Sequence, residues 1–102
     1  MKYVIDIDGT ITHTVDSDYE NAIPRLDRID AINKLYDEGH TIMYFSARGM
    51  TNPSNIKLHK LTQLTYTQLE QWGCKYHKLQ LEKPSGDVYI DDKGINADEF
   101  FA

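Results

Sequence analysis

Two spacings of apolar residues alternate along the chain. Residues 3–7 (YVIDI) form a short, β-branched, nearly continuous apolar run, the pattern of a strand covered on both faces. Leu26, Ile29, Ile32 or Asn33, and Tyr36 then recur at helical spacing with Gly39 as a stop, which predicts a helix near 26–38. Thr41–Phe45 (TIMYF) reads as a second buried strand. A second helix starts at Asn52-Pro53 and carries Leu58, Leu61, Leu64 or Thr65, Gln68 or Leu69, and Trp72 along one face before Gly73. Residues 76–81 predict a weaker strand and 87–90 (DVYI) another buried one, after which Asn96 caps a last turn through Phe100 and Phe101. No repeat or low-complexity segment interrupts this βαβαββα order.

Strands that alternate with helices of a dozen or more residues imply a parallel sheet with right-handed crossovers and helices on its faces. The expected fold class is therefore α/β, a Rossmann-like three-layer core with a small, mainly parallel sheet. Ligands of such sheets bind beyond the carboxyl ends of the strands, at the switch point in strand order. Asp6 and Asp8 stand where the first strand ends, Ser46 and Arg48 follow the second, and Asp91 and Asp92 follow the last. The predicted topology brings all of them to one edge.

Composition narrows the function. At 102 residues the chain is read as one domain spanning 1–102. No apolar run approaches the ~18 residues needed to cross a bilayer, and Met1 leads directly into the first strand without a basic and apolar leader, so a cytoplasmic protein with no membrane partner is expected. The single Cys74 excludes an intrachain disulfide, in keeping with that location. A net charge of -5 argues against nucleic acid as a general partner, while leaving room for a local cationic patch, and favours a small substrate.

Gathering four carboxylates creates an electrostatic problem. Two like charges about 4 Å apart repel by ~4 kcal/mol at an effective dielectric of about 20. Either some of the carboxylates take up protons or a divalent cation sits among them, and oxygen-only donors favour Mg²⁺ over zinc. Magnesium usually shares its coordination sphere with water and substrate phosphate, which points to phosphoryl chemistry on a small phosphorylated substrate. Asp6 would attack phosphorus, and Asp8 would protonate the departing alkoxide and later take a proton from the hydrolytic water. Gly9 would let the backbone approach the phosphate, Ser46 would donate to a phosphoryl oxygen, and Lys83 would neutralise the equatorial oxygens. Thr10, Ala47 and Arg48, adjoining these residues, complete the expected phosphate site.

This set of motifs resembles the haloacid dehalogenase superfamily of phosphohydrolases, in order and over nearly the whole chain. Asp6-Ile7-Asp8-Gly9-Thr10 resembles the superfamily's first motif and Ser46 in YFSARG its second; Lys83 in EKPSGD and the Asp91-Asp92 pair in VYIDDK resemble the third and fourth. The resemblance implies an aspartyl-phosphate mechanism with Asp6 as nucleophile and Asp8 as acid and base. It also implies a magnesium site using Asp6, the Asp8 carbonyl and Asp91, with Asp92 as a further candidate. It leaves no room for a large cap domain: residues 11–25 supply at most a flap or a mini-cap, and an open site of this kind either accepts substrates that larger capped relatives exclude or depends on a neighbouring subunit of a homo-oligomer to cover it. The SARG and LEKPSGDVYIDDK stretches look closest to small capless members associated with capsule and other polysaccharide biosynthesis, for which a sugar phosphate is the expected ester.

Other readings use the same residues differently. A polynucleotide 3′-phosphatase or a nucleotidase of the same superfamily shares these motifs, and a degenerate phosphate-binding module would keep them without turnover. A signalling receiver domain also has an acidic pocket and a Lys, but with the acidic pair early and the Lys late, the reverse of the order here. His13, His40, His59 and His77 have no metal-ligand spacing, Lys57, His59 and Lys60 read as the solvated face of a helix, and Cys74 has no paired base nearby.

Overall fold

The computed structural model describes residues 1–50 and 55–102. Along the chain these form β1 (Lys2–Asp6), β2 (Thr12–His13), a 3₁₀ turn (Tyr19–Asn21), β3 (Ile23–Pro24), α1 (Leu26–Asp37), β4 (Thr41–Phe45), α2 (Asn55–Gln71), β5 (Lys78–Gln80) and α3 (Ala97–Phe100). Strands β1, β4 and β5 make a parallel sheet in that order, with Ile5 opposite Tyr44 and Asp6 opposite Phe45 in one ladder and Phe45 opposite Gln80 in the other. The expected helix at 26–38 is α1, closed at Gly39, whose φ of 95° suits glycine and whose N–H bonds to the Tyr36 carbonyl. The expected start of the second helix at Asn52-Pro53 lies outside the described residues.

Apolar spacing decided the packing. Ile5, Ile42 and Tyr44 from the strands join Ile29 and Ile32 of α1 and Leu69 of α2 in one core. The continuous runs suggested strands buried on both faces, yet β1 and β4 alternate, with Ile5, Ile42 and Tyr44 buried while Val4 is 52% exposed. Tyr44 Oη lies beside the Cys74 thiol without a hydrogen bond of ordinary geometry. Burial pushes the thiol up to about 11, with Tyr44 pulling slightly the other way. Since 11 lies two pH units above the ordinary 9.0, iodoacetamide should alkylate Cys74 at pH 8 about a hundredfold more slowly than it alkylates free cysteine. A rate equal to free cysteine, followed by mass spectrometry, would contradict that burial.

Residues 11–25 form a small flap: β2 and β3 pair antiparallel, and the 3₁₀ turn lies between them. At the other end of the chain Asn96 caps α3 by accepting the Asp98 N–H at 2.9 Å. Phe100 and Phe101 return to the body, Phe100 packing edge-on against Tyr3 and Phe101 lying under Arg28.

One expected strand is absent. Residues 87–90 enter no ladder, and Val88 and Ile90 are 74% and 92% exposed. Local hydrogen bonds hold this segment in another shape: Tyr89 Oη donates to the Pro84 carbonyl and accepts the Gly86 N–H, and Asp91 accepts the Lys93 and Gly94 N–H groups. Side-chain bonds to nearby backbone compete with a sheet ladder, and here they close two successive turns instead.

Candidate active site

The chain turns sharply where β1 ends. The Thr10 and Ile11 N–H groups both reach back to the Ile7 carbonyl, and Gly9 takes a φ of 83°, where a side chain would be strained. Nothing lies within 4 Å of where a Gly9 side chain would begin, so conformation rather than crowding calls for glycine. This turn leaves Asp6 at the last strand position and Asp8 just beyond. On the neighbouring strand, the Ser46 N–H bonds to the Gln80 carbonyl and the Lys83 N–H to the Ser46 carbonyl, so the ladder between β4 and β5 continues past both and delivers Lys83 to the same edge.

Asp6, Asp8, Gly9, Ala47, Arg48 and Lys83 line one open cleft of about 330 Å³, to which the flap adds Thr14, Ser17 and Tyr19. Lys83 Nζ stands 3.3 Å from Asp6 Oδ2 and also lies over the rings of Phe45 and Tyr89, at 4.9 and 4.4 Å. Burial raises the Asp6 carboxyl above its ordinary value, against the pull of Lys83. Asp8 is held differently. Its Oδ2 accepts Arg48 Nε at 2.8 Å, its Oδ1 accepts Arg48 Nη2 at 2.9 Å, and Thr14 donates to Oδ1 at 2.8 Å. The remaining guanidinium nitrogen, Nη1, donates to Thr65 at 3.1 Å and Gln68 at 2.6 Å, both on α2. Arg48 is completely buried, with its guanidinium 4.8 Å from the Tyr19 ring centre, and Gln68 Nε2 bonds to the Tyr19 carbonyl at 2.6 Å.

The expected repulsion between carboxylates is thus answered by protein cations, one for each acid. Arg48, expected as a phosphate contact, has all three guanidinium nitrogens committed to Asp8 and α2 and serves to orient Asp8. Ser46 is buried and does not line the cleft, with Oγ accepting the Arg48 N–H at 3.0 Å. Thr10 does not line the cleft, and its carbonyl accepts Arg28. Asp91 and Asp92 are exposed and do not line it either. The Lys93 and Gly94 N–H groups hold the Asp91 carboxyl below its ordinary value. Because 87–90 is not a strand, the four aspartates expected on one edge come together only as the pair Asp6 and Asp8.

Among the described residues no three His, Cys, Asp or Glu side chains converge on a position that could hold a metal ion. Asp6 and Asp8 offer carboxylate oxygens at the cleft, each also paired with a protein cation, Lys83 or Arg48, and magnesium held by one or two carboxylates together with water and phosphate needs no larger protein cage. Sequence reasoning missed Thr14, Tyr19, Thr65 and Gln68. The available signal lay in the second helix, where Thr65 and Gln68 interrupt an otherwise apolar stripe at a spacing of three, as polar groups with a buried partner do.

No protein-family model and no curated protein matches the sequence. Solved structures do. A target protein from Vibrio cholerae superposes with a TM-score of 0.84 and 32% identity, over 98% of this chain and 86% of its own. The chain belongs to that protein's family. A D,D-heptose 1,7-bisphosphate phosphatase from B. bronchiseptica, complexed with magnesium and phosphate, superposes with a TM-score of 0.54 and 19% identity, over 84% of this chain and 51% of its own. This second likeness is one of architecture: the chain has the haloacid-dehalogenase-like α/β core with no large cap. Among the described residues, no helix is long and apolar enough to cross a membrane.

Proposed function

We propose that this protein is a phosphomonoester hydrolase of the haloacid dehalogenase kind, acting through an aspartyl-phosphate on a small phosphorylated metabolite such as a sugar phosphate. The observation that carries this reading is Asp6, a strand-end carboxylate in an open cleft with Lys83 at 3.3 Å and a second carboxylate two residues on. The phosphatase activity of the heptose bisphosphate enzyme, which shares the fold, supports it.

In the first step an Asp6 oxygen forms a bond to phosphorus while the ester P–O bond breaks, and its electron pair leaves on the alcohol oxygen, which takes a proton from the Asp8 carboxyl. In the second, water attacks the aspartyl-phosphate and the Asp6–phosphorus bond breaks, releasing phosphate. Lys83 draws negative charge from the phosphoryl oxygens in both steps. Arg48 and Thr14 orient the Asp8 carboxyl, which gives its proton to the departing alcohol in the first step and takes one from the attacking water in the second. Magnesium accompanies phosphate in the fold neighbour, and an ion held at Asp6 with its waters would supply positive charge to the phosphoryl oxygens. The reading rests on Asp6, Asp8, Lys83 and the fold.

The test is phosphate release from p-nitrophenyl phosphate together with mass-spectrometric detection of a phosphate adduct on the Asp6 peptide after acid quench. Turnover with the adduct on any other residue would reject the assigned nucleophile.

A further inference from the structure

A second cleft, of about 540 Å³, adjoins the first. Its walls are Lys57, Lys60, Leu61 and Leu64 of α2 on one side and the flap from Ser17 to Glu20 on the other. Ser17 and Tyr19 border both clefts. Tyr19 is a fixed divider, because Arg48 stacks on its ring and Gln68 holds its carbonyl. A phosphoryl group fills only a small part of the first cleft, and an ester whose phosphorus sits on Asp6 must extend its leaving group outward. The larger space beyond Tyr19 has the volume of an ordinary small-ligand site.

The chemistry of the walls narrows what fits. Lys57 and Lys60 are one helical turn apart and share the stripe of Leu61 and Leu64, so both lysines border the same space. Asp18, Glu20 and the Ser17 hydroxyl stand on the opposite wall. The walls do not close on each other: among the described residues Lys60 and Glu20 make no ion pair, and Asp18 takes the Asn21 amide at 2.8 Å. Carboxylates and a serine offer acceptors and a donor to hydroxyl groups, whereas paired ammonium groups select an anion. This side of α2, expected to be only a solvated face, thus borders a cavity.

We infer that the second cleft receives the leaving group and selects a hydroxyl-rich one that carries a second anionic group, a carboxylate or a phosphate. The inference rests on the assignment of Asp6 as nucleophile, and the test separates the two. Initial rates are measured on 6-phosphogluconate, fructose 1,6-bisphosphate and glucose 6-phosphate. The wild type should prefer at least one of the first two over glucose 6-phosphate by about tenfold in kcat/KM, mainly through KM, and K57A/K60A should bring that ratio close to one. Which of the two is preferred tells carboxylate from phosphate. Calorimetry on Asp6→Asn reads the cleft without turnover: the preferred ligand with a second anionic group should again bind about tenfold more tightly than glucose 6-phosphate, and adding K57A/K60A should erase the difference. Equal affinities in Asp6→Asn, or a preference that survives the lysine substitutions, overturn the cleft assignment whatever Asp6 does. Tighter binding of the ligand with a second anionic group, together with no turnover of any ester, would instead reject Asp6 as nucleophile and leave the cleft as an anion-binding site.

Discussion

Asp6→Asn should reduce phosphate release from p-nitrophenyl phosphate by about a thousandfold or more, because an amide oxygen is a poor nucleophile toward phosphorus and no other carboxylate in the cleft has an unencumbered oxygen. Both Asp8 oxygens are taken by Arg48 and Thr14. The fold should persist. Asp6 sits at the end of β1 with its backbone in the ladder opposite Phe45, and asparagine has nearly the same shape. Burial disfavours the Asp6 charge, so the neutral amide removes an unfavourable term, while Lys83 keeps its contacts with the Phe45 and Tyr89 rings. A thermal melt at or above the wild-type midpoint, combined with loss of turnover, is the expected pair of results. Equal rates in the two proteins would remove Asp6 from the chemistry.

Arg48→Met should destabilise the protein by about 3–5 kcal/mol, the cost of leaving a partly buried carboxylate without its cation. The residue is completely buried and joins three parts of the chain: Asp8 after β1, Thr65 and Gln68 on α2, and Tyr19 in the flap. Arg48→Lys should recover little, since a single ammonium cannot reproduce a fork that meets both Asp8 oxygens and two α2 side chains together. Urea denaturation of Arg48→Met, Asp8→Asn and the double variant forms the cycle. The double variant should be more stable than Arg48→Met alone, because it leaves no unpaired charge at Asp8. A loss below about 1 kcal/mol in Arg48→Met would show that water, not the guanidinium, satisfies Asp8.

Much of the architecture was legible in one dimension because spacing alone encodes it. The helical recurrence from Leu26 to Tyr36, the β-branched run before Asp6 and the TIMYF stretch each describe a local structure with an apolar side, and each is present. Asn96 before the last turn was readable for the same reason, since a cap involves only neighbours two residues apart. Residues 87–90 show where this stops. Their apolar pattern suits a strand as well as TIMYF does, but a strand exists only with a partner, and here Tyr89 and Asp91 spend their hydrogen-bonding groups on adjacent backbone. With that strand went the expected convergence of Asp91 and Asp92 on Asp6.

By itself the sequence determined the alternation of strands and helices, the carboxylate pair at the end of the first strand, and the presence of a serine, an arginine and a lysine at the ends of the others, because these depend on order and period. Only the tertiary structure decided which acid meets which base. Lys83 meets Asp6 because the β4–β5 ladder runs on past its last strand residue, and Arg48 meets Asp8 because Thr65 and Gln68 interrupt an apolar helix stripe to receive it. Charge pairing acts over a few ångströms in space and is indifferent to distance along the chain, so no one-dimensional pattern contains it.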